Sequence, residues 1–198
     1  MSERRKLSGR TIIALLAVAT LVVVGVAGAV VFNAVRNAPW HAPELTAYAH
    51  GQTVDVTPFA YCSVTMRDCR VLPQNPADAA GSVFDGLPCK ESDCQRGRTT
   101  SLEVPPGYPL QVSLPSQIVN APWLATLVYV REDGQIVIEE KWRDEYPEGA
   151  RAITIDSRPL PELRLVGVEV QLPILARDES GREGWVPHAA WSISTAQA

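Results

Sequence analysis

Three histidines, four cysteines and one dense run of carboxylates are the residues of this 198-residue chain whose types lend themselves to chemistry. His41 lies in a proline-flanked stretch and His50 in an expected turn, which leaves His188 as the one candidate general base. A base acts only when a nucleophile or an orienting carboxylate lies within hydrogen-bond reach. Around Pro187-His188 the sequence offers neither, so the histidine reads as structural. An enzyme reading would require His188 beside a carboxylate in a cleft. The run Glu139-Glu140-Lys141-Trp142-Arg143-Asp144-Glu145 has carboxylates enough for calcium or for glycoside chemistry. Its interleaved cations and the alternation of strand faces make it a solvated surface instead. Asp178-Glu179-Ser180-Gly181 reads as a turn. The chain has no G-x-S-x-G, H-E-x-x-H, phosphate-binding glycine loop or C-x-x-C. No catalytic residue, metal or cofactor is expected.

Cys62, Cys69, Cys89 and Cys94 are spaced x6 and x4, outside the C-x2–4-C pattern of zinc sites. An even number of cysteines in an oxidising compartment reads as two disulfides. Two pairings stay open. Short local loops favour Cys62–Cys69 with Cys89–Cys94, and Cys62–Cys94 nested around Cys69–Cys89 is the other. No tryptophan lies between Cys62 and Cys94, which departs from the signature of a true immunoglobulin domain.

The compartment follows from the N-terminal segment. Thr11 to Phe32 carries no charge and no proline, and residues 11–35 are long enough as a helix to cross a bilayer. Arg4, Arg5, Lys6 and Arg10 precede it, against Glu3 alone, so residues 1–10 are expected in the cytoplasm and the remainder outside. A cleaved signal peptide is the rival, but its apolar core would be shorter, and Ala27-Gly28-Ala29 lies inside the run rather than after it. Gly25 and Ala29 form a small-xxx-small pair suited to helix–helix contact. Arg36 and Trp40 fall where the outer membrane interface would begin.

Residues 36–43 read as a short tether, and 44–198 as a mainly β extracytoplasmic domain. Period-two alternation marks strands over 45–49, 53–56, 110–114, 123–131, 136–142, 152–155, 165–172 and 185–193. His50-Gly51 and Asp133-Gly134 are the hairpin signals. Pro173 and Pro187 belong at strand ends or edges. About eight short strands with no amphipathic helix predict an Ig-like or fibronectin-like β-sandwich. Residues 67–100 predict a disulfide-braced loop, with a one-turn helix near Pro76–Ala80. From residue 37 onward there are 13 Lys and Arg against 21 Asp and Glu, a balance that repels nucleic acid.

The order of several stretches is similar to a known family. A basic tail and an apolar span precede LTAYAHGQTVDV (45–56) and YCSVTMRDC (61–69). VPPGYPLQVSLP (104–115) and APW (121–123) follow, the last leading into a Tyr-containing strand. This order resembles actinobacterial envelope proteins grouped as domain of unknown function 2771, from about Glu44 to Leu172. The resemblance implies a membrane- or lipid-anchored envelope protein and supplies no active-site residues. A non-catalytic interaction protein at the plasma membrane is therefore expected, whose partner is another envelope or membrane protein, such as a membrane complex or transporter. A lipid- or glycan-binding module is the alternative, and an enzyme using His188 a third.

Overall fold

The computed structural model describes residues 9–38, 40–75, 77, 80–89, 94–177 and 180–195. Arg4, Arg5 and Lys6 lie outside this set, as do Asp178, Glu179 and three residues of the expected Pro76–Ala80 turn. The chain forms two compact units, 1–41 and 42–198.

The first unit holds helix α1, Gly9–Arg36, of 28 residues. At 1.5 Å per residue it is about 42 Å long, and Leu15–Arg36 is long and apolar enough to cross a membrane. Leu15, Leu21, Val24, Val31 and Phe32 all stand exposed on it. A water-soluble helix would bury such a surface.

The second unit is a β-sandwich of twelve strands: β1 (Leu45–Ala49), β2 (Gln52–Val56), β3 (Ala60–Cys62), β4 (Cys69–Pro73), β5 (Gln95–Gly97), β6 (Thr100–Ser101), β7 (Leu110–Ser113), β8 (Leu124–Arg131), β9 (Ile136–Trp142), β10 (Ala152–Ile155), β11 (Leu163–Arg177) and β12 (Glu183–Ser194). One sheet runs β10-β7-β1-β2; the larger runs β5-β4-β3-β12-β11-β8-β9, with β6 alongside β12. Pairing is antiparallel except for β4–β5 and β6–β12.

Alternation decides what each sheet contributes to the core. Leu110 and Val112 are buried between exposed Gln111 and Ser113, and Ile153 and Ile155 repeat the pattern on β10. From the larger sheet come Leu127, Tyr129, Leu165, Val168, Val170 and Trp191, all in one cluster with Leu45 and Val56. Trp191 is fully buried, and its indole N–H donates to the Pro43 carbonyl at 2.8 Å, fixing the point where the chain enters the domain.

The recurring stretches of sequence are structural. LTAYAHGQTVDV is the β1–β2 hairpin, turned at His50 (φ 44°) and Gly51 (φ 79°). VPPGYPLQVSLP brings β7 against β1 and sets Tyr108 edge-on to the His50 ring, centroids 4.2 Å apart. Its Pro-Pro-Gly turn is held by buried Ser157, whose hydroxyl accepts from the Gly107 amide and donates to the Pro105 carbonyl.

Three differences from the sequence reading stand out. Residues 67–100, expected as loop, contain β4, β5 and β6. Gln-Arg-Gly and Thr-Ser have no alternation of their own, so only the neighbours β4 and β12 make them strands. Strands β11 and β12 are also longer than expected. Their last pairs, from Pro173↔Pro187 to Arg177↔Glu183, form a two-stranded ribbon beyond the reach of β8 and β3. Pro173 and Pro187 face each other at its base, where neither flank needs a donor. Finally, the count of twelve strands exceeds the eight expected, mostly through these short tertiary pairings.

Tyr129 ties the core to a loop, its hydroxyl donating to the Asp156 carbonyl at 3.0 Å. Burial, then the Glu139 and Asp156 carboxylates, push that hydroxyl from 10.0 up to about 12. The folded state therefore holds the proton more tightly than the unfolded chain. This contribution is complete below pH ~10 and is lost as pH rises from there towards about 12. Denaturant curves should show the unfolding free energy falling across that window. Tyr129→Phe should make the fall shallower while costing about 1 kcal/mol near neutrality. An unaltered alkaline slope in the variant would count against this assignment.

Candidate functional site

The smaller sheet covers one face of the larger one. The opposite, outer face is where side chains remain available. Leu127 and Tyr129 point into the core, so Thr126, Val128 and Val130 of β8 point outward. Register extends this into rows across the sheet. Val130 lies opposite Ile136 and Val128 opposite Ile138. The next row reads Glu140, Thr126, Glu169, Ser192, and the one after it Trp142, Leu124, Gln171, Ala190.

At the β9 edge this face is apolar and open: Ile136 is 68% and Ile138 63% exposed. Trp142 continues the apolar character to the Trp185 ring on the ribbon, at 6.1 Å between centroids, and Trp185 lies opposite exposed Leu175. Exposed large hydrophobics grouped in this way mark interaction surfaces more often than isolated ones do.

Towards β12 the same face is roofed by the excursion between β4 and β5. Its ends are closed by Gln74, whose amide donates to the Gly97 carbonyl at 2.8 Å. Gly97 itself passes so near β3 that a Cβ there would lie 1.9 Å from the Phe59 carbonyl oxygen, so only glycine fits. Disulfides Cys62–Cys69 and Cys89–Cys94 brace the region. Phe84 plugs the roof into a second small core of Ala60, Cys62, Cys69, Leu72 and Ala190.

Between roof and sheet is an open cavity of about 590 Å³. Phe59, Val83, Phe84 and Pro187 supply apolar walls, and Ser82, Thr99, Glu169, Gln171 and Ser192 supply polar groups. The Thr99 hydroxyl donates to that of Ser192 at 3.1 Å. Burial pushes the Glu169 carboxyl above its usual range, and a hydrogen bond with the Gln171 side chain partly offsets the shift. No cation is among the causes of that shift. A carboxylate desolvated in this way, with only an amide for company, costs stability wherever it is ionised.

A second cleft, of about 500 Å³, lies between the end of β8 and the 158–164 segment. Arg131, Arg158 and Arg164 line it, but Glu132 and Glu162 stand among them, so the rim largely neutralises itself.

The residues singled out in the sequence fall elsewhere. His188 is half-buried, and its Nδ1 lies 2.9 Å from the Cys62 carbonyl oxygen, to which it donates. Tyr61 packs edge-on beside it. Among the described residues no carboxylate is hydrogen-bonded to it; its Nδ1 latches β12 to β3. In the acidic run, Glu145 accepts from the Trp142 amide, and Lys141 pairs with Glu139. No group of three His, Cys, Asp or Glu among the described residues could hold a metal. Gly25 and Ala29 are exposed on one face of α1, Arg36 closes the helix, and Trp40 follows it, 37% exposed. Glu169, Gln171 and Phe84 were missed. Glu169 and Gln171 read as ordinary solvent-facing positions of an alternating strand, and only the length of the 67–100 segment hinted at a roof.

An apolar, membrane-length helix followed by a disulfide-braced β-sandwich defines a class: a β-domain led by one apolar N-terminal helix. Residues 38–196 match the family model described as protein of unknown function (DUF2771), and the chain belongs to that family. It is 33% identical over 168 residues to the uncharacterized proteins Mb0899c of Mycobacterium bovis and Rv0875c of Mycobacterium tuberculosis. The match covers 84% of this chain and 86% of each relative. No solved structure matches the chain significantly.

The roof depends on one plug. Phe84→Ala removes the side chain that seats the excursion, at a cost of about 3 kcal/mol to local packing. Limited proteolysis should then cut between Gln74 and Cys94 at least tenfold faster, with the sandwich core left intact. Equal cleavage rates in wild type and variant would show that Phe84 does not hold the roof.

Proposed function

We propose that this protein is a non-catalytic interaction protein of the bacterial cell envelope, anchored in the plasma membrane by α1 with its sandwich outside. The apolar row Ile136–Ile138, continued by Trp142 and Trp185, carries the reading. Ile136, Ile138 and Trp185 are each about 60% exposed or more, half-buried Trp142 meets the Trp185 ring, and Glu140 is the one charged side chain of β9 between Ile138 and Trp142 on this face. Surface of this kind is retained where something covers it. The acidic balance of the domain argues against nucleic acid, and the basic residues before α1 support a cytoplasmic N-terminus. The disulfides fit an oxidising compartment. A partner would be another membrane or envelope protein, and an accessory subunit of a membrane complex or transporter fits this description. Residues 37–42 separate α1 from Pro43, a tether of at most about 20 Å.

The test is co-purification. Full-length protein extracted from its own membrane in mild detergent should bring down a specific membrane or envelope protein. Ile136→Ser with Ile138→Ser, both exposed, should leave the melting temperature within about 2 °C and reduce that recovery at least tenfold. Undiminished recovery in the double variant would move the docking surface off β9, and no specific partner in the wild type would overturn the interaction reading.

A further inference from the structure

We infer that the cavity between the 81–84 roof and the outer face of β11–β12 is a carbohydrate-binding site that takes a neutral sugar ring. The docking reading rests on β9 and does not need this site; the cavity is a separate observation.

The polar side chains among its described lining residues are acceptor-rich and mixed: one carboxylate, one carboxamide and three hydroxyls, of which Ser82 accepts from the Phe84 amide. Register places three of them together, because Glu169 lies opposite Ser192 and Gln171 is two residues along the same strand face. Thr99 joins them through its bond to Ser192. A vicinal diol matches this set. Adjacent hydroxyls can donate to the Glu169 carboxylate and exchange hydrogen bonds with Gln171 and the Thr99–Ser192 pair. Phe59, Phe84 and Pro187 give the cavity apolar walls, against which the C–H face of a ring can lie. The volume is in the range of small-molecule sites.

The alternatives fit less well. A free anion would meet the Glu169 carboxylate with no cation among the described lining residues to offset it. An alkyl chain would take these polar groups further from water and offer none of them a hydrogen bond in return. A quaternary ammonium would use the carboxylate and an aromatic but none of the other polar groups. One carboxylate without a second opposite it among the described lining residues suits holding a sugar rather than cleaving it.

Glu169 also provides a readout that a structural residue would not. A half-buried carboxyl with a raised pKa weakens the fold as pH rises through its shifted range and the group ionises. Glu169→Gln keeps the shape and removes the charge, so it should leave the melting temperature unchanged or raise it while weakening ligand binding. A group kept for packing would lose stability on substitution.

The experiment is saturation-transfer NMR on the full-length protein in detergent micelles. The probes are disaccharides of glucose, galactose, mannose and N-acetylglucosamine, with choline and inorganic phosphate as competing classes. At least one disaccharide should bind with its ring C–H protons saturated. Glu169→Gln should weaken it about tenfold or more without lowering the melting temperature. Ser192→Ala, a smaller change, should weaken it severalfold. The inference is overturned if no disaccharide binds or if choline or phosphate binds instead. Affinity that survives both substitutions, or a Glu169→Gln variant that loses stability, overturns it equally.

Discussion

The ladder between β11 and β12 is the interaction on which the rest of the domain depends. It is the longest pairing in the molecule, and both outer edges of its sheet portion carry further strands: β8 and then β9 on one side, β3 and β6 on the other. Because side chains alternate, the same two strands send Val168, Val170, Trp191 and Ile193 into the core and Glu169, Gln171 and Ser192 out of it. The two register shifts keep this assignment. One in β11 between Leu165 and Gly167 resets the alternation, so that Val168 points inward after Leu165 has done so. The other, between Leu172 and Pro173, begins the ribbon. A slip of one residue in this ladder would put a carboxylate in the core and a tryptophan on the surface.

What the sequence made legible follows from that alternation. The hairpins at His50-Gly51 and Asp133-Gly134, the central strand through Tyr129 and the membrane-length helix all carry local signals, and the structure has them where they were read. The short strands β5 and β6 have no such signal. Gln-Arg-Gly is a strand because β4 lies beside it, and it can lie there because Gly97 lets the backbone pass Phe59. Tertiary contact, not propensity, makes these elements.

The candidate site was illegible for a related reason. Glu169 in Gly-Val-Glu-Val-Gln looks like any outward residue of a half-exposed strand. Only the roof above it turns a solvated carboxylate into a desolvated one, and the roof is set by Phe84, many residues earlier in the chain. His188 shows the reverse case. Its residue type drew attention, yet its Nδ1 holds the Cys62 carbonyl and the ring serves to join β12 to β3. Residue type marks candidates; the neighbours decide which are available.

The outer face also explains how an open edge strand coexists with an exposed apolar row. β9 ends the larger sheet and could template pairing with another chain. Glu139, Glu140 and Lys141 sit in its middle, and an incoming strand would have to place side chains against all three. The apolar residues Ile136 and Ile138 lie off that charged centre, on the face rather than along the edge. A partner lying flat across β9 and β8 meets Ile136, Ile138, Val128 and Val130 with Glu140 in the next row, while Glu139 and Lys141 alternate to the other face. Recognition through the face is thus favoured over strand addition, and the same charges that discourage aggregation restrict how a partner can approach.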